Sequence, residues 1–536
     1  MSSSSSTSCV ARRPRGAFPS AISGRRTWTG LAPAALIFGL AAGVHGACEF
    51  CPPLDPLGED QTVLQVSTVE GLFAGLRNAA PDTTILLADG TYTLHGFDVN
   101  VEVPRITLRG ASGNRDSVII EGSGNNIAIF ADDVTVADMT LRGPAYHCVQ
   151  VHGENGVLRT KIYNVHLLDA GQQFIKVSTG SGDRSTFADE GLVACSLIEY
   201  TTTASSPYTN GVDILAGKGW VIRDNVLRRI RGPQGGAGPT ILAWKNSMDT
   251  VVMRNVLVDC WRGIALGIAE PDAYSRGGAG DAYDHQNGRV ENNVIISLEL
   301  KTDAGIENNF ALGSQVFHNT IYTADAAVPW SIECRYAGTT AEIKNNLANR
   351  PVVNRSPGSA VSVEAGNVTN AKLNWFHDLA GLDFHLKAGG PAVDGGVLLD
   401  EEPEDIDGDA RPGGQLPDAG ADELGGLPSC ADGVTTVGPF VRGDCNGDGA
   451  VAGQVTDVIF MLKYSFGGGE KKVPCLAACD ANGDGLFGGS VTDPIYLLQY
   501  DFLGGTPPPP PFAACGNGSR PGDAALGCEK PPIGCQ

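Results

Sequence analysis

The feature that most constrains this chain is a short strand pattern that returns eight times between residues 136 and 347, with no helical pattern between copies. Each copy alternates apolar and polar residues, as in Ile222–Leu227 (IRDNVL) and Val252–Leu257 (VMRNVL). That is the period of a strand with one buried face. One place in every copy is polar: Asp138, Asn164, Ser196, Asn225, Asn255, Asn293, Asn319 and Asn346. The steps between them are 26, 32, 29, 30, 38, 26 and 27 residues. Hairpin turns and a propeller-blade signature of about 40 residues are both missing, which argues against propellers and sandwiches. An irregular period near thirty calls for coils stacked on one another, with the uneven remainder in loops on one side. At the bend of each coil an Asn amide can hydrogen-bond the Asn of the next. A side-chain ladder along the stack is therefore expected.

From about Thr62 to Leu424 the pattern resembles the right-handed parallel β-helix of pectate-lyase-like proteins. Thr68–Ala79 (TVEGLFAGLRNA) reads as a short amphipathic helix suited to capping the N-terminal end of the coil. Ile85–Tyr92 (ILLADGTY) resembles the first strand and turn of that superfamily. At the far end, Asp405–Pro412 (DIDGDARP) and Asp418–Glu423 (DAGADE) resemble the closing segment of many secreted β-helix proteins. The expected fold is mainly β, a right-handed parallel β-helix followed by a small α-helical domain.

Stacked coils align one strand per turn, and the outward side chains of that sheet form a groove. Candidate strands are 147–153, 174–179, 211–215, 240–246, 263–267, 305–309 and 330–336. With Val149, Ile175, Val212, Ile241, Ile264, Ile306 and Ile332 inward, one outward column reads Gln150, Lys176, Asp213, Leu242, Ala265, Glu307, Glu333. Its neighbour reads His152, Ser178, Leu215, Trp244, Gly267, Asn309, Arg335. The resemblance implies a polysaccharide lying along these columns, with Lys176, Asp213, Glu307, Glu333 and Arg335 as candidate catalytic residues and Trp244 as a stacking platform. In a lyase, Ca²⁺ held by Asp213, Glu307 and Glu333 would neutralise a uronate carboxylate while Lys176 or Arg335 takes the α-proton. In a hydrolase, two of the carboxylates would act as acid and base. The RxPxxR- and WxDH-type signatures of pectate lyases are missing. The competing reading is a non-catalytic adhesin or carbohydrate-binding surface.

After Leu427 the composition changes, and seven of fourteen cysteines fall in the last 107 residues. A duplication at an offset of 36 matches Asp444–Val451 (DCNGDGAV) to Asp480–Phe487 (DANGDGLF), and Val455–Leu462 to Val491–Leu498. D-x-N-x-D-G places oxygen ligands at positions 1, 3 and 5, with Gly at 6 for the sharp turn around Ca²⁺. The candidate ligands are Asp444, Asn446, Asp448 and Asp457 in the first loop and Asp480, Asn482, Asp484 and Asp493 in the second. Position 12 is Val455 or Val491, so the helix carboxylate comes from position 14 in both copies. The pair resembles a dockerin-type domain, which implies attachment to a cohesin-like or cell-surface receptor. Val458, Ile459, Leu462 and Phe466 are expected to pack on Ile495, Leu498 and Phe502.

Five arginines and no acid precede the fourteen-residue apolar run Leu31–Val44, a length suited to a signal peptide and short of a bilayer span. Small residues at Val44 and Gly46 place cleavage before Ala47. The expected organisation is a signal peptide over 1–46, a linker over 47–61, the β-helix over 62–426, the calcium module over 427–512 and a Cys/Pro-rich tail over 513–536. The protein is expected to be secreted or held at the cell surface, and monomeric. With 38 basic and 60 acidic residues the net charge is −22, which disfavours nucleic-acid partners. Export permits disulfides. Cys445, Cys475 and Cys479 are plausible staples, Cys260 and Cys334 fall inward, and Cys48 and Cys51 point to a local or intermolecular bridge.

Overall fold

The computed structural model describes residues 50–535 apart from 55–56, 58–61, 181–185, 269–275, 277–282, 358–359, 400–403, 426–436, 452, 454, 467–472, 474, 483–486, 488–490, 506, 510, 519–525, 527 and 529–534. The expected signal peptide, Cys48, Cys430, Asp484 and most of the 269–287 insertion lie outside the described residues.

The repeating segments pair parallel, coil upon coil. Ile162, Val193, Ile222, Val252, Val290, Val316 and Ile343 stand register on register and are fully buried. All seven are β-branched, the shape that packs best on a pleated surface. A second aliphatic column runs Leu167, Ile198, Leu227, Leu257, Ile295, Ile321. A third is the inward set from Val149 to Ile332. The three columns merge into one hydrophobic core. The architecture is a parallel β-helix.

The polar ladder exists, with a corrected start. Asn225 Nδ2 donates to Asn255 Oδ1 at 2.9 Å, and the same contact repeats from Asn255 to Asn293, Asn293 to Asn319 and Asn319 to Asn346. It ends one coil later than expected, at Asn367. Asp138 and Asn164 form a separate rung, Asn164 Nδ2 donating to Asp138 Oδ1 at 2.8 Å, that does not connect to this line: Val165, not Asn164, meets Ser196 through a backbone-to-hydroxyl bond of 3.2 Å. The reason lies in the backbone. Cys195, Asp224, Arg254, Asn292, His318 and Asn345, each just before a ladder residue, take positive φ and turn the chain from one sheet to the next. In the earlier coils Asp138 and Asn164 themselves take that conformation, shifting the pattern by one. A left-handed non-glycine residue costs about 1–3 kcal/mol. The fully bonded Asn beside it offsets that cost.

Both ends are closed as expected. Helix Val69–Asn78 is N-capped by Thr68, whose hydroxyl accepts from Gly71 N at 3.0 Å, and it buries Leu72 in the first coil. At the other end the Asp405 carboxylate accepts from the backbone of Asp407, Asp409 and Glu423, and Arg411 pairs with Glu423 with neither side chain exposed. His385 is clasped between Asp383 at 2.7 Å and Asp407 at 2.9 Å. An imidazole with a carboxylate on each nitrogen is an imidazolium. Chiefly the Asp407 hydrogen bond pushes its pKa up to about 10.

The segment from Phe50 to Pro52 straps onto the coil. Cys51 bonds to Cys195, 144 residues away, so the expected local bridge is corrected for Cys51. Tyr163 donates its hydroxyl to Pro52 O at 2.5 Å, and Arg254 lies 3.8 Å over the Phe50 ring. Cys148, Cys260 and Cys334 are buried and unbonded.

In the C-terminal module, helices Thr456–Phe466 and Thr492–Leu503 pack through Val458, Met461 and Leu497, around the Cys445–Cys479 disulfide. The expected apolar contact holds for Val458 and Leu498, which join this core, and is overturned for four other residues. Ile459, Leu462, Ile495 and Phe502 are 37–55% exposed. Each helix turns Asp457 or Asp493 inward toward its own loop, which rotates the neighbouring Ile459 and Ile495 to solvent. Cys475 bonds to Cys528, and Cys515 to Cys535.

Candidate functional site

The groove sheet has ten strands in parallel order, from Val99–Val101 through Ile127–Ile129, Val149–His152, Ile175–Ser178, Val212–Leu215, Pro239–Trp244, Arg262–Leu266, Ile306–Asn309 and Ile332–Arg335 to Val352–Asn354. Its register aligns Gln150, Lys176, Asp213, Leu242, Ala265, Glu307 and Glu333 in one column. The neighbouring column pairs Ser178 with His152, Leu215 with Trp244, and Asn309 with Arg335.

The five candidate residues separate into two groups. Lys176 Nζ sits 2.5 Å from Asp213 Oδ2, and Trp244 Nε1 donates to Asp213 Oδ1 at 2.8 Å. Trp244 is thereby tied to the carboxylate, and Lys245 covers its ring at 4.6 Å. Glu307 stands three coils on and Glu333 four, about 14 and 19 Å at the usual strand spacing. One calcium ion cannot be shared by Asp213, Glu307 and Glu333, so that arrangement is corrected.

Glu307 and Glu333 are register partners, 3% and 2% exposed, and each carries an arginine. Arg262 grips both oxygens of Glu307, with Nε 2.6 Å from Oε1. Asn309 donates to Glu307 at 3.1 Å, and Arg355 donates to Glu333 at 2.7 Å. Burial raises the Glu333 pKa, opposed by the Arg355 hydrogen bond and reinforced by the Glu307 charge. Arg335 lies over the Tyr336 ring at 4.5 Å, and that ring stacks on Phe310 at 4.2 Å. Among the described residues Arg335 makes no ion pair.

These groups line a polar cavity of about 230 Å³ with Asp303 and Trp330. Asn309 Oδ1 and Trp330 Nε1 are buried there with no hydrogen-bond partner. Buried polar atoms left unpaired are costly, so an acceptor and a donor stand ready for a ligand. Arg262 and Arg355 escaped the sequence reading. Arg355 was legible, since continuing the second column one coil past Arg335 reaches it. Arg262 has the parity of an inward residue and was not.

In the first calcium-type loop, carboxylate oxygens of Asp444, Asp448 and Asp457 all lie within 4.8 Å of one another. Asp444 Oδ2 accepts from Gly449 N at 2.9 Å, and Asn446 N donates to Asp457 Oδ1 at 3.0 Å. Asp444 Oδ1 and Asp457 Oδ2 are buried with no partner. Burial, with the Asp444 and Asp448 charges adding, pushes Asp457 up to about 7. Orphaned hard oxygens around one point fit a bound Ca²⁺. Asn446 Oδ1, the third expected ligand, accepts from Asp448 N at 2.8 Å. In the second loop Asp480 and Asp493 are buried likewise, and Asn482 N faces Asp493 Oδ1 at 3.4 Å.

No protein-family model and no curated protein matches this chain. Among solved structures it is similar to the pectate lyase Pel9A, with a TM-score of 0.45 and 13% identity over 68% of this chain and 97% of that one. It is also similar to an alginate lyase from Paenibacillus sp. str. FPU-7, at 0.32 and 16% over 57% and 99%. The A-module of the Azotobacter vinelandii mannuronan C-5 epimerase AlgE4 gives 0.34 and 14% over 57% and 95%. The likeness is one of fold and leaves the chemistry to this chain's own residues.

Proposed function

We propose that this is an exported carbohydrate-active β-helix protein whose groove binds a polysaccharide and cleaves it at the Glu307–Glu333 centre. The observation that carries this is two buried glutamates in register on adjacent coils, beside a polar cavity with an unpaired guanidinium. Glu333, with its raised pKa, suits the proton donor to a glycosidic oxygen. Glu307, held by Arg262, suits the carboxylate on the other side of the bond. Arg335 faces the ligand, and the Trp244 platform extends the binding track three coils away. In a lyase variant of this reading, Arg335 takes the α-proton of a uronate instead.

The Asp444 and Asp480 loops hold Ca²⁺, which supplies charge balance and folding free energy to a small module. The exposed pairs Val455/Val491 and Ile459/Ile495 give that module an apolar face for a cohesin-like or cell-surface receptor. One observation favours the non-catalytic alternative. Lys176, Glu307 and Glu333 are already matched by Asp213, Arg262 and Arg355, as in a surface built to bind.

The test is a screen of secreted protein on uronate and neutral polysaccharides, following reducing ends and the ultraviolet absorbance of unsaturated ends. Hydrolysis yields only the former, elimination both. Glu333→Gln and Arg335→Ala should each lower turnover by 10²-fold or more, on the order of general acid–base contributions, with the melting temperature of Arg335→Ala nearly unchanged. Binding without bond cleavage on every substrate would establish the adhesin reading.

A further inference from the structure

The two calcium-type loops match at every candidate ligand, yet the positions flanking the first ligand break the repeat. At the offset of 36, Arg442 corresponds to Ala478, Gly443 to Cys479, and Cys445 to Ala481. The fold wires these exceptions together. Arg442 leaves the backbone two residues before Asp444, but its guanidinium lies on the other loop. Its Nη1 is 3.0 Å from the Asp480 carbonyl oxygen and 3.4 Å from Asp480 Oδ2. Neither side chain is more than 1% exposed. Nε also donates to Pro509 O at 3.2 Å. Cys445, just after the first ligand of loop one, is disulfide-bonded to Cys479, just before the first ligand of loop two.

Resting on the calcium reading above, we infer that the loops are a coupled and unequal pair, in which loop one binds Ca²⁺ first and Arg442 weakens loop two. The acids alone give each loop a charge of −3, from Asp444, Asp448 and Asp457 or from Asp480, Asp484 and Asp493. Arg442 reduces the second to −2. A buried guanidinium against a ligand carboxylate repels an incoming dication and is screened little by salt. Loop one has instead the unpartnered oxygens of Asp444 and Asp457. The same arginine satisfies Asp480 before the ion arrives, since a buried carboxylate needs a partner. Filling loop two must therefore disturb a contact anchored beside loop one, and the disulfide keeps the two first ligands in step.

The experiment is calorimetric Ca²⁺ titration of the full-length, disulfide-intact protein stripped with EGTA, alongside Asp444→Asn, Asp480→Asn and Arg442→Gln. Two steps at least tenfold apart in Kd are expected. Asp444→Asn should remove the tighter step, and Asp480→Asn only the weaker. Arg442→Gln should bring the steps together. If that variant loses its helical circular dichroism, the two aspartate variants decide the matter. Equal steps in the wild type, or loss of the tight step in Asp480→Asn, would overturn the inference while leaving calcium binding intact. No binding heat in the wild type would overturn both.

Discussion

At the scale of single residues, the ladder asparagines carry more than their polarity indicates. Asn255 Oδ1 accepts from the Asn225 amide and backbone, while its Nδ2 donates to Ile222 O and Asn293 Oδ1. Asn255→Ala would strand several buried groups, and an expected loss of about 2–4 kcal/mol follows from the cost of unpaired polar atoms. Asn164, outside this line, holds a positive φ and donates to Asp138 Oδ1, so Asn164→Ala should cost a smaller amount, about 1–2 kcal/mol, from strain and one lost bond. Urea unfolding of the two variants checks the contrast. His385 makes a second test. Its folded pKa of about 10 stands above the unfolded 6.5, so its contribution is complete below 6.5 and is lost as pH rises through 10. Stability of the closing segment should fall across that window by on the order of 2 kcal/mol. Hydrogen exchange at residues 383–424 should show the slope, and His385→Gln should flatten it.

At the scale of elements, the C-terminal helices owe their orientation to their carboxylates. Asp457 and Asp493 must face the loops, and the rest of each helix follows at its fixed pitch. Leu497, fully buried, should cost about 2–5 kcal/mol when cut to Ala. Ile459→Asp and Ile495→Asp should leave the melting temperature almost unchanged, since both side chains already meet solvent. If they also abolish retention on a receptor, the exposed face is the docking face. Cys445→Ser opens a 34-residue loop and should cost about 3–4 kcal/mol by the chain-entropy relation.

At the scale of the whole molecule, the hydrophobic core of the coil and that of the C-terminal module are separate clusters. Calorimetry should therefore resolve two unfolding transitions, and EGTA should lower only the one that the isolated C-terminal module would show. A chain ending near residue 426 should remain soluble and unfold cooperatively. A single transition shifted as one by EGTA would refute that independence. Cys51→Ser, which removes the bond from residue 51 to a coil 144 residues on and leaves the other disulfides intact, should destabilise the β-helix and leave the calcium steps in place.

What the sequence determined by itself was whatever repeats. The stacked coils, both groove columns, the ladder from Asn225 to Asn346, the capping helix and the duplicated loops all rest on short patterns, and short patterns obey local rules of period and turn. The tertiary structure decided what passes between coils. Arg262 and Arg355 reach Glu307 and Glu333 across 45 and 22 residues. His385 finds Asp407, and Arg442 finds Asp480. No local period predicts such partners, because each depends on how loops of unequal length return the chain. The ladder's start shows the same limit within one residue. Asn164 has the right identity, but it takes the left-handed turn itself, and Val165 meets Ser196 on the stack instead.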